Sequence, residues 1–301
     1  MARPTCRVHR TLRRTRGYGF RVAETLHDPA LGQRLLLHEA RAQQSLGREL
    51  RDLGDGWLLH DPADPEPFWN RLIAPRWPDR PRDFERRLDE VITLFSSLDR
   101  LAHVRPLPVG SQPPDLDARL IAAGFDRIGA DRRMVLVDRD PCLRLAARAG
   151  DPANGRVTVD RHPDRSRSLR GPWAADAALV LGEAFEVDPL RRIALETDIL
   201  ACVARRGCSV LLLREEGVPV AMARRATVGN GSYLSSIGTR PLWRGRGYGA
   251  LATALAVREA LEAGSRLVHL AVDVMNDRAR RLYESLGFAV LGEPVADLLL
   301  R

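Results

Sequence analysis

The sequence predicts a mixed α/β protein of two domains, and three observations predict it. The chain has 301 residues, longer than one compact domain usually runs. Its second half alternates segments of helical and strand periodicity in the order αα-βββ-α-β-α-ββ, the pattern of a mixed sheet with helices on its faces. A glycine-rich run, Arg244-Gly-Arg-Gly-Tyr-Gly249, joins a strand of that half to a helix.

In the first half, residues 28–53 carry Leu31, Leu35, Leu36, Ala40, Leu46, Leu50 and Leu53 at helical spacing and read as one or two helices. Residues 56–60 read as a short strand closed by Asp-Pro pairs, and residues 68–73 as another. Residues 82–98 form an amphipathic helix with Phe84, Leu88, Val91, Ile92, Leu94 and Phe95 on one side. A strand follows at 101–107, then a helix at 116–123 stopped by Gly124. The half ends in a two-strand hairpin whose recognisable strand is 133–137. Residues 138–170, rich in Arg, Asp, Pro and Ser, read as a linker with one strand at 156–159, and the domain boundary falls near Asp151.

The second half opens with helices at 173–185 and 189–206, the latter capped by Asp188 with Pro189 at its first position. Strands at 209–214 and 218–227 are joined by Glu215-Glu216-Gly217, and Asn230-Gly231 turns the chain into a third strand at 232–238. A helix runs over 247–263, a strand over 267–273 and a helix over 277–286. An apolar hairpin closes the chain after Gly287-Phe288. The expected organisation is a basic disordered tail (1–20), a first domain (21–150) and a second (151–301).

Composition excludes several functions. At 45% hydrophobic and 29% charged the chain is ordinary for a globular protein, and no apolar run is long enough to span a membrane. The arginine-rich start lacks the apolar segment of a signal peptide, so a cytoplasmic protein is expected. Cys6, Cys142, Cys202 and Cys208 show no metal-ligand spacing and read as reduced, incidental thiols, and no metal is expected. The net charge of +8 comes mostly from Arg3, Arg7, Arg10, Arg13, Arg14 and Arg16, which leaves the body near neutrality. Nucleic acid is therefore not an expected partner, although a basic arm can touch phosphates. Every one of the 47 Lys+Arg residues is arginine, so the protein cannot acetylate lysines of its own.

The glycine run carries chemistry. Glycines there accept positive φ and let backbone N–H groups converge at a helix N-terminus, which suits a pyrophosphate. A Walker loop is excluded because it needs a lysine. The dinucleotide fingerprint formally fits Gly245, Gly247 and Ala250, with Asp273 at the end of the next strand. That fold demands a glycine turn directly after the strand, whereas Thr239-Arg-Pro-Leu-Trp243 intervenes here. Too little chain follows Asp273 for further parallel strands.

The segment Tyr233 to Gly249 (YLSSIGTRPLWRGRGYG), followed by Asn276 to Phe288 (NDRARRLYESLGF), resembles the GNAT superfamily of acyl-CoA N-acyltransferases. The resemblance covers about residues 155–301 and implies acetyl-CoA as cosubstrate. It implies that backbone groups of Ile237, Gly238 and Thr239 pair with the pantetheine arm, and that the amides of Arg244, Gly245, Arg246, Gly247, Tyr248, Gly249 and Ala250 hold the pyrophosphate. Asn276 would hydrogen-bond the cofactor arm, and Tyr283 would protonate the leaving thiolate. The implied chemistry is direct attack of an amine on the thioester, with N–H groups polarising its carbonyl. Many relatives carry a glutamate base five residues before the asparagine, where this chain has Ala271. Others use one on the strand before the loop, where it has Ser235 and Ser236. Asp273 and His269 share the face of Ala271 and could relay a proton through water, with Asp273 the candidate base. Glu183 and Glu186 stand where relatives line the acceptor site.

Residues 115–137 echo the end of the second half: a helix, Ala-Gly-Phe and strands. The first half lacks the glycine loop and the Asn…Tyr pair, so it reads as a degenerate second GNAT-like copy, giving a tandem arrangement. Trp57, His60, Phe68, Trp69, Trp77 and His103 could line a pocket there or simply pack. The expected function is N-acetylation of a primary amine on a small molecule or a peptide N-terminus, by a monomer or homodimer. The alternative is an acetyl-CoA-binding sensor or structural protein without turnover.

Overall fold

The computed structural model describes residues 29–148, 156–162 and 172–301. The arginine-rich residues 1–20 lie outside them.

Helix α1 (Pro29–Ser45) turns Leu31, Leu35, Leu36, Ala40 and Ala42 inward. The helical reading through residue 53 fails because Gly47 takes φ +116° and ends the periodicity; Glu49–Asp52 is strand β1. It pairs with β2 (Trp57–His60). Residues 68–73 divide into a 3-10 turn, Pro67–Trp69, and β3 (Arg71–Ile73). Helix α2 (Pro81–Ser97) has proline at its start, Asp83 in its first turn, and Phe84, Leu88, Val91 and Phe95 buried. Then come β4 (His103–Arg105), α3 (Leu116–Ala122) and β5 (Asp126–Leu136). The stretch read as a linker contains a helix, α4 (Asp140–Arg148), which buries Cys142 and Ala146; its charge density concealed this narrow apolar stripe.

The second half follows the expected order. It comprises β6 (Val157–His162), α5 (Pro172–Ala184), α6 (Arg192–Val203), β7 (Cys208–Glu215), β8 (Val218–Val228), β9 (Gly231–Thr239), α7 (Tyr248–Glu262), β10 (Leu267–Asp273), α8 (Asp277–Ser285) and β11 (Phe288–Leu299). Residues Pro189–Arg191 are a 3-10 turn before α6, and the Asp188 carboxylate accepts from Leu190 N at 2.9 Å. Neither expected hairpin forms. After Gly124 and after Gly287 the chain runs out as one long strand, β5 and β11, because each strand finds its partners in the other half of the molecule.

The described strands make one sheet, ordered β1-β2-β3-β4-β11-β5-β10-β9-β8-β7-β6. Each half contains one parallel pair, β3 with β4 and β9 with β10. Beside each parallel pair lies the final strand of the other half: β11 next to β4, and β5 next to β10. β5 and β11 pair antiparallel with each other, from Phe288↔Leu136 to Leu299↔Asp126. The two helix-ending glycines mark the exchange. Gly287, at φ +90°, would place a Cβ 1.9 Å from the Asp138 carbonyl, so only glycine fits there.

Helices α1, α5 and α6 cover one face of the second half, packing on Val210, Leu212, Met222 and Tyr233. Helices α4 and α7 cover the other, against Leu211, Ala223, Leu234, Leu270 and Met134. α1 also lies over Leu59 and Ile73 of the first half and over Val295 of β11. From its centre the Glu39 carboxylate accepts from Arg71 (2.7 Å, β3) and from Arg133 (β5), with Arg105 (β4) at 3.8 Å. Arg105 in turn reaches Asp131 (2.5 Å) and Asp297 (2.9 Å). Three carboxylates thus face three guanidiniums in the interior, where an unpaired charge would be costly. Burial alone would push the Glu39 carboxyl up; Arg133, then Arg71 and Arg105, outweigh it and hold it at about 2.

Candidate active site

The parallel ladder between β9 and β10 runs from Gly231/Leu267 to Leu234/Leu270 and stops. Beyond that point the strands part. Residues Ser235–Thr239 of β9 stay paired only with β8, while Ala271–Asp273 of β10 pair with Arg133–Asp131 of β5. A register shift against β8 marks the same place: Met222 faces Gly238 and Arg224 faces Ser235, so Ser236 and Ile237 oppose Ala223 alone. Ser236 has φ +51°, a conformation non-glycine residues seldom adopt. The bulge and the parting together leave the β9 edge at Ile237–Thr239 without a strand partner on the β10 side, where the Thr239 carbonyl accepts from Arg244 Nε at 3.2 Å. Gly238 is small of necessity, since an added Cβ would come 2.8 Å from Ala184 and 3.3 Å from the Phe185 ring.

The glycine run continues from this edge through a 3-10 turn, Pro241–Trp243. Gly245 and Gly247 both have φ +86°, and Gly247 is the N-cap of α7 without any side-chain cap. The first N–H groups of α7 therefore have no acceptor among the described residues, the arrangement that suits an anion. A Cβ on Gly247 would meet open space, so the concavity belongs to the backbone geometry. Gly249 stands close to Thr239 Oγ1 (3.2 Å to an added Cβ) and lets α7 approach the strand. Tyr248 is buried, and burial with its hydrogen bond to Glu215 pushes its phenol up to about 12.

Asn276 caps α8: its Oδ1 accepts from Ala279 N at 3.0 Å, which leaves the amide nitrogen as a donor. Tyr283 is buried beneath the same helix, edge-on to Phe288 with ring centroids 6.1 Å apart. Burial raises its phenol above the ordinary value, so it carries its proton at neutral pH.

The base candidates part company. Asp273 is exposed at the end of β10, and its Oδ1 accepts from Met275 N at 2.7 Å in the turn leading to α8. His269 is fully buried, with Nε2 2.8 Å from Nδ1 of His38 on α1. His38 Nε2 points at the Val228 carbonyl (3.1 Å), so His38 Nδ1 is the acceptor and His269 Nε2 the donor in this pair. Burial, with His38 and Arg133 beside it, drives His269 well below its ordinary value. Glu183 is held by Arg240 through both oxygens (2.8 and 2.9 Å), and Glu186 takes φ +55° after α5. This difference in burial and partners between Asp273 and His269 was invisible in a pattern of alternate residues on one strand.

The first half treats its parallel pair differently. After Ile73↔Arg105 the segments stay joined: Ala74 N donates to Arg105 O (2.9 Å), Arg76 bridges to Gln112, and Trp77 N donates to Gln112 O (2.8 Å). Trp77 is buried where the cleft would open. Its other aromatic and histidine candidates pack as well. Phe68 and Trp69 lie under Arg71 and Arg48, His60 meets Asn70, and His103 meets Asp297 and the Pro67 carbonyl. Among the described residues no cluster with metal-binding composition occurs, and no helix is long and apolar enough to cross a membrane. Cys142, Cys202 and Cys208 are buried free thiols.

Residues 177–288 match the acetyltransferase (GNAT) family, and that segment is a GNAT acetyltransferase domain. Over 88% of this chain the structure is similar to a GCN5-related N-acetyltransferase from Kribbella flavida, at 25% identity and a TM-score of 0.62 over 95% of that chain. A tandem GNAT protein from the clavulanic acid biosynthesis pathway shares the fold over 92% of this chain and 94% of its own, with a TM-score of 0.54 and 16% identity. A mycothiol acetyltransferase from Nocardiopsis dassonvillei is 48% identical over 54 residues, a match spanning 18% of this chain and only 16% of that relative.

Proposed function

We propose that the protein is an N-acetyltransferase that moves the acetyl group of acetyl-CoA to a primary amine of a small molecule or peptide N-terminus. Residues 151–301 are the catalytic copy and residues 21–150 a degenerate one. The parting of β9 from β10 at Leu234/Leu270, leading into an uncapped glycine cradle, carries this reading. When bound, acetyl-CoA supplies the activated thioester. The β9 edge at Ile237, Gly238 and Thr239, which has no strand beside it there, holds the pantetheine arm, with the Asn276 amide beside it. The amides from Arg244 to Ala250 hold the pyrophosphate. Tyr283, protonated and shielded from water, keeps a proton for the leaving sulfur. The exposed Asp273 accepts the amine's proton through water. The acetyl group as the transferred unit is supported by the names of both the family and the mycothiol acetyltransferase relative.

The test is release of free coenzyme A from acetyl-CoA across a panel of amines. In Tyr283→Phe, turnover should fall on the order of a hundredfold while acetyl-CoA affinity holds; unchanged turnover removes Tyr283 from the acid role. A second reading, acetyl-CoA binding without turnover, draws support from Ala271 at the relatives' glutamate position and from the engagement of Glu183 by Arg240. Tight binding with no release for any amine would favour it.

A further inference from the structure

The turn that joins α5 to α6 is held at both ends. Its first end is docked on the open edge of β9: Ala184 and the Phe185 ring stand 2.8 and 3.3 Å from the place of a Cβ on Gly238. The loop after β9 adds two grips, since Arg244 donates to the Ala184 carbonyl (2.8 Å) and Arg240 holds Glu183. The other end is held by the first half. Arg191 donates from Nη1 to Glu66 (2.5 Å) and from Nη2 to both oxygens of Asp64 (2.6 and 2.8 Å).

The loop that receives Arg191 is already set. Asp61 Oδ1 accepts from the amides of Ala63 and Asp64, and Asp64 Oδ1 from that of Glu66. The buried Asn70 amide donates to the Asp64 and Glu66 carbonyls at 2.7 and 2.9 Å. Two turns further along α6, Asp198 accepts from Arg48 (2.9 Å), which lies over the Trp69 ring. Arg191 and its partners stay partly exposed, and an ion pair in that setting adds little to stability. What it fixes is position.

The segment so held shows apolar side chains to water: Phe185 is 55% exposed, Leu190 88% and Ile193, one turn on, 78%. Of its acids, Glu183 is held by Arg240 and Asp188 by the Leu190 amide, which leaves Glu186 at the surface. Single apolar residues are ordinary on a surface, but these share one fixed segment that begins on the open edge of the cleft.

We propose that this turn is a wall of the acceptor site, kept in place by the first half through Arg191, and that it takes an amine whose body is apolar. The proposal rests on the reading of the β9 edge as the acyl-CoA site. Arg191 is a positioning residue and touches neither substrate. An apolar body lying beside the thioester covers Phe185 and Leu190, and that burial supplies its affinity.

The test is calorimetric titration of the full chain, saturated with coenzyme A, with phenethylamine and with ethanolamine. Phenethylamine should bind about tenfold more tightly, and Phe185→Ser combined with Leu190→Ser should abolish the preference. Arg191→Ala should weaken phenethylamine binding about tenfold while coenzyme A affinity holds, and Arg191→Lys should recover part of the loss. Asp64→Asn with Glu66→Gln should reproduce the loss and add nothing to Arg191→Ala, because the three side chains act as one contact. Equal binding of the two amines, or binding of neither, overturns the proposal. So does an Arg191→Ala chain that loses coenzyme A affinity and thermal stability together, which would make the ion pair merely structural. A dimer in size exclusion that the Phe185→Ser and Leu190→Ser changes dissolve would give the patch to a second copy and overturn it too. Folded, unaltered protein that binds no coenzyme A overturns the acyl-CoA reading beneath it.

Discussion

The two parallel strand pairs begin alike and end differently. β9 and β10 separate after Leu234/Leu270, with a bulge at Ser236 and glycines at 245 and 247 to carry the chain around the opening. β3 and β4 stand at the matching place, and Ala74 even takes a comparable φ of +51°, but Arg76, Trp77 and Gln112 stitch the strands together where a cleft would form. Beyond the stitch, Arg87 is held by Asp55 (2.6 and 2.8 Å), so the cation nearest this closed end is already paired within the protein. An unfinished ladder leaves a strand edge that a ligand could pair with. A few side chains that finish the ladder convert the same frame into a structural element. The closed half has not become idle, because it supplies β5 to the open half and receives β11 in return.

The largest effect should come from separating the halves. Residues 151–301 alone lack the strand that pairs with Ala271–Asp273, and β11 loses its longest partner. They should fail to give a monodisperse folded species by size exclusion and circular dichroism, whereas the full chain should unfold in one transition. A folded, acetyl-CoA-binding fragment would show the exchange to be dispensable. Next, Trp77→Ala should destabilise the chain by about 3–5 kcal/mol in denaturant unfolding. Acetyl-CoA affinity should stay unchanged, since the closed cleft packs without binding; a loss of affinity would mean the first half reaches the site.

The smallest effect concerns pH. His269 is depressed below its ordinary 6.5 by burial, so the unfolded chain takes up a proton that the folded ring refuses. Stability should be fully present above pH 6.5 and fall below it, by at most about 1.4 kcal/mol per pH unit for one group. Glu39 has the same sign, its share being lost from its ordinary 4.5 down to about 2. His269→Gln should flatten the slope between pH 6.5 and 5 in melts; an unaltered slope would place the coupling elsewhere.

Much of this was legible in the chain. The limits of β10 were readable from Leu267 to Asp273, because alternation and flanking turns are local signals. Asn276 and Tyr283 were singled out by the resemblance to the GNAT superfamily, and the glycine loop by its own residues. Arg278 was not, in a protein rich in arginine: its place beside Gly245 is a property of three-dimensional neighbours. Helix α4 was hidden for a related reason, its few apolar positions diluted by charge. Glu39, Arg71, Arg105 and Arg133 likewise looked like ordinary surface residues until α1 was laid across strands from both halves.

By itself, then, the sequence determined most element types and the glycine-bearing turn, since periodicity, φ preference and helix caps act over a few residues. The tertiary structure alone decided that β5 and β11 are single exchanged strands, that one parallel pair opens and the other closes, and that Glu39 is buried among arginines. Those outcomes depend on pairing between segments far apart in the chain. There the free energy lies in satisfying backbone groups and buried charges collectively, and no local pattern records which partner is chosen.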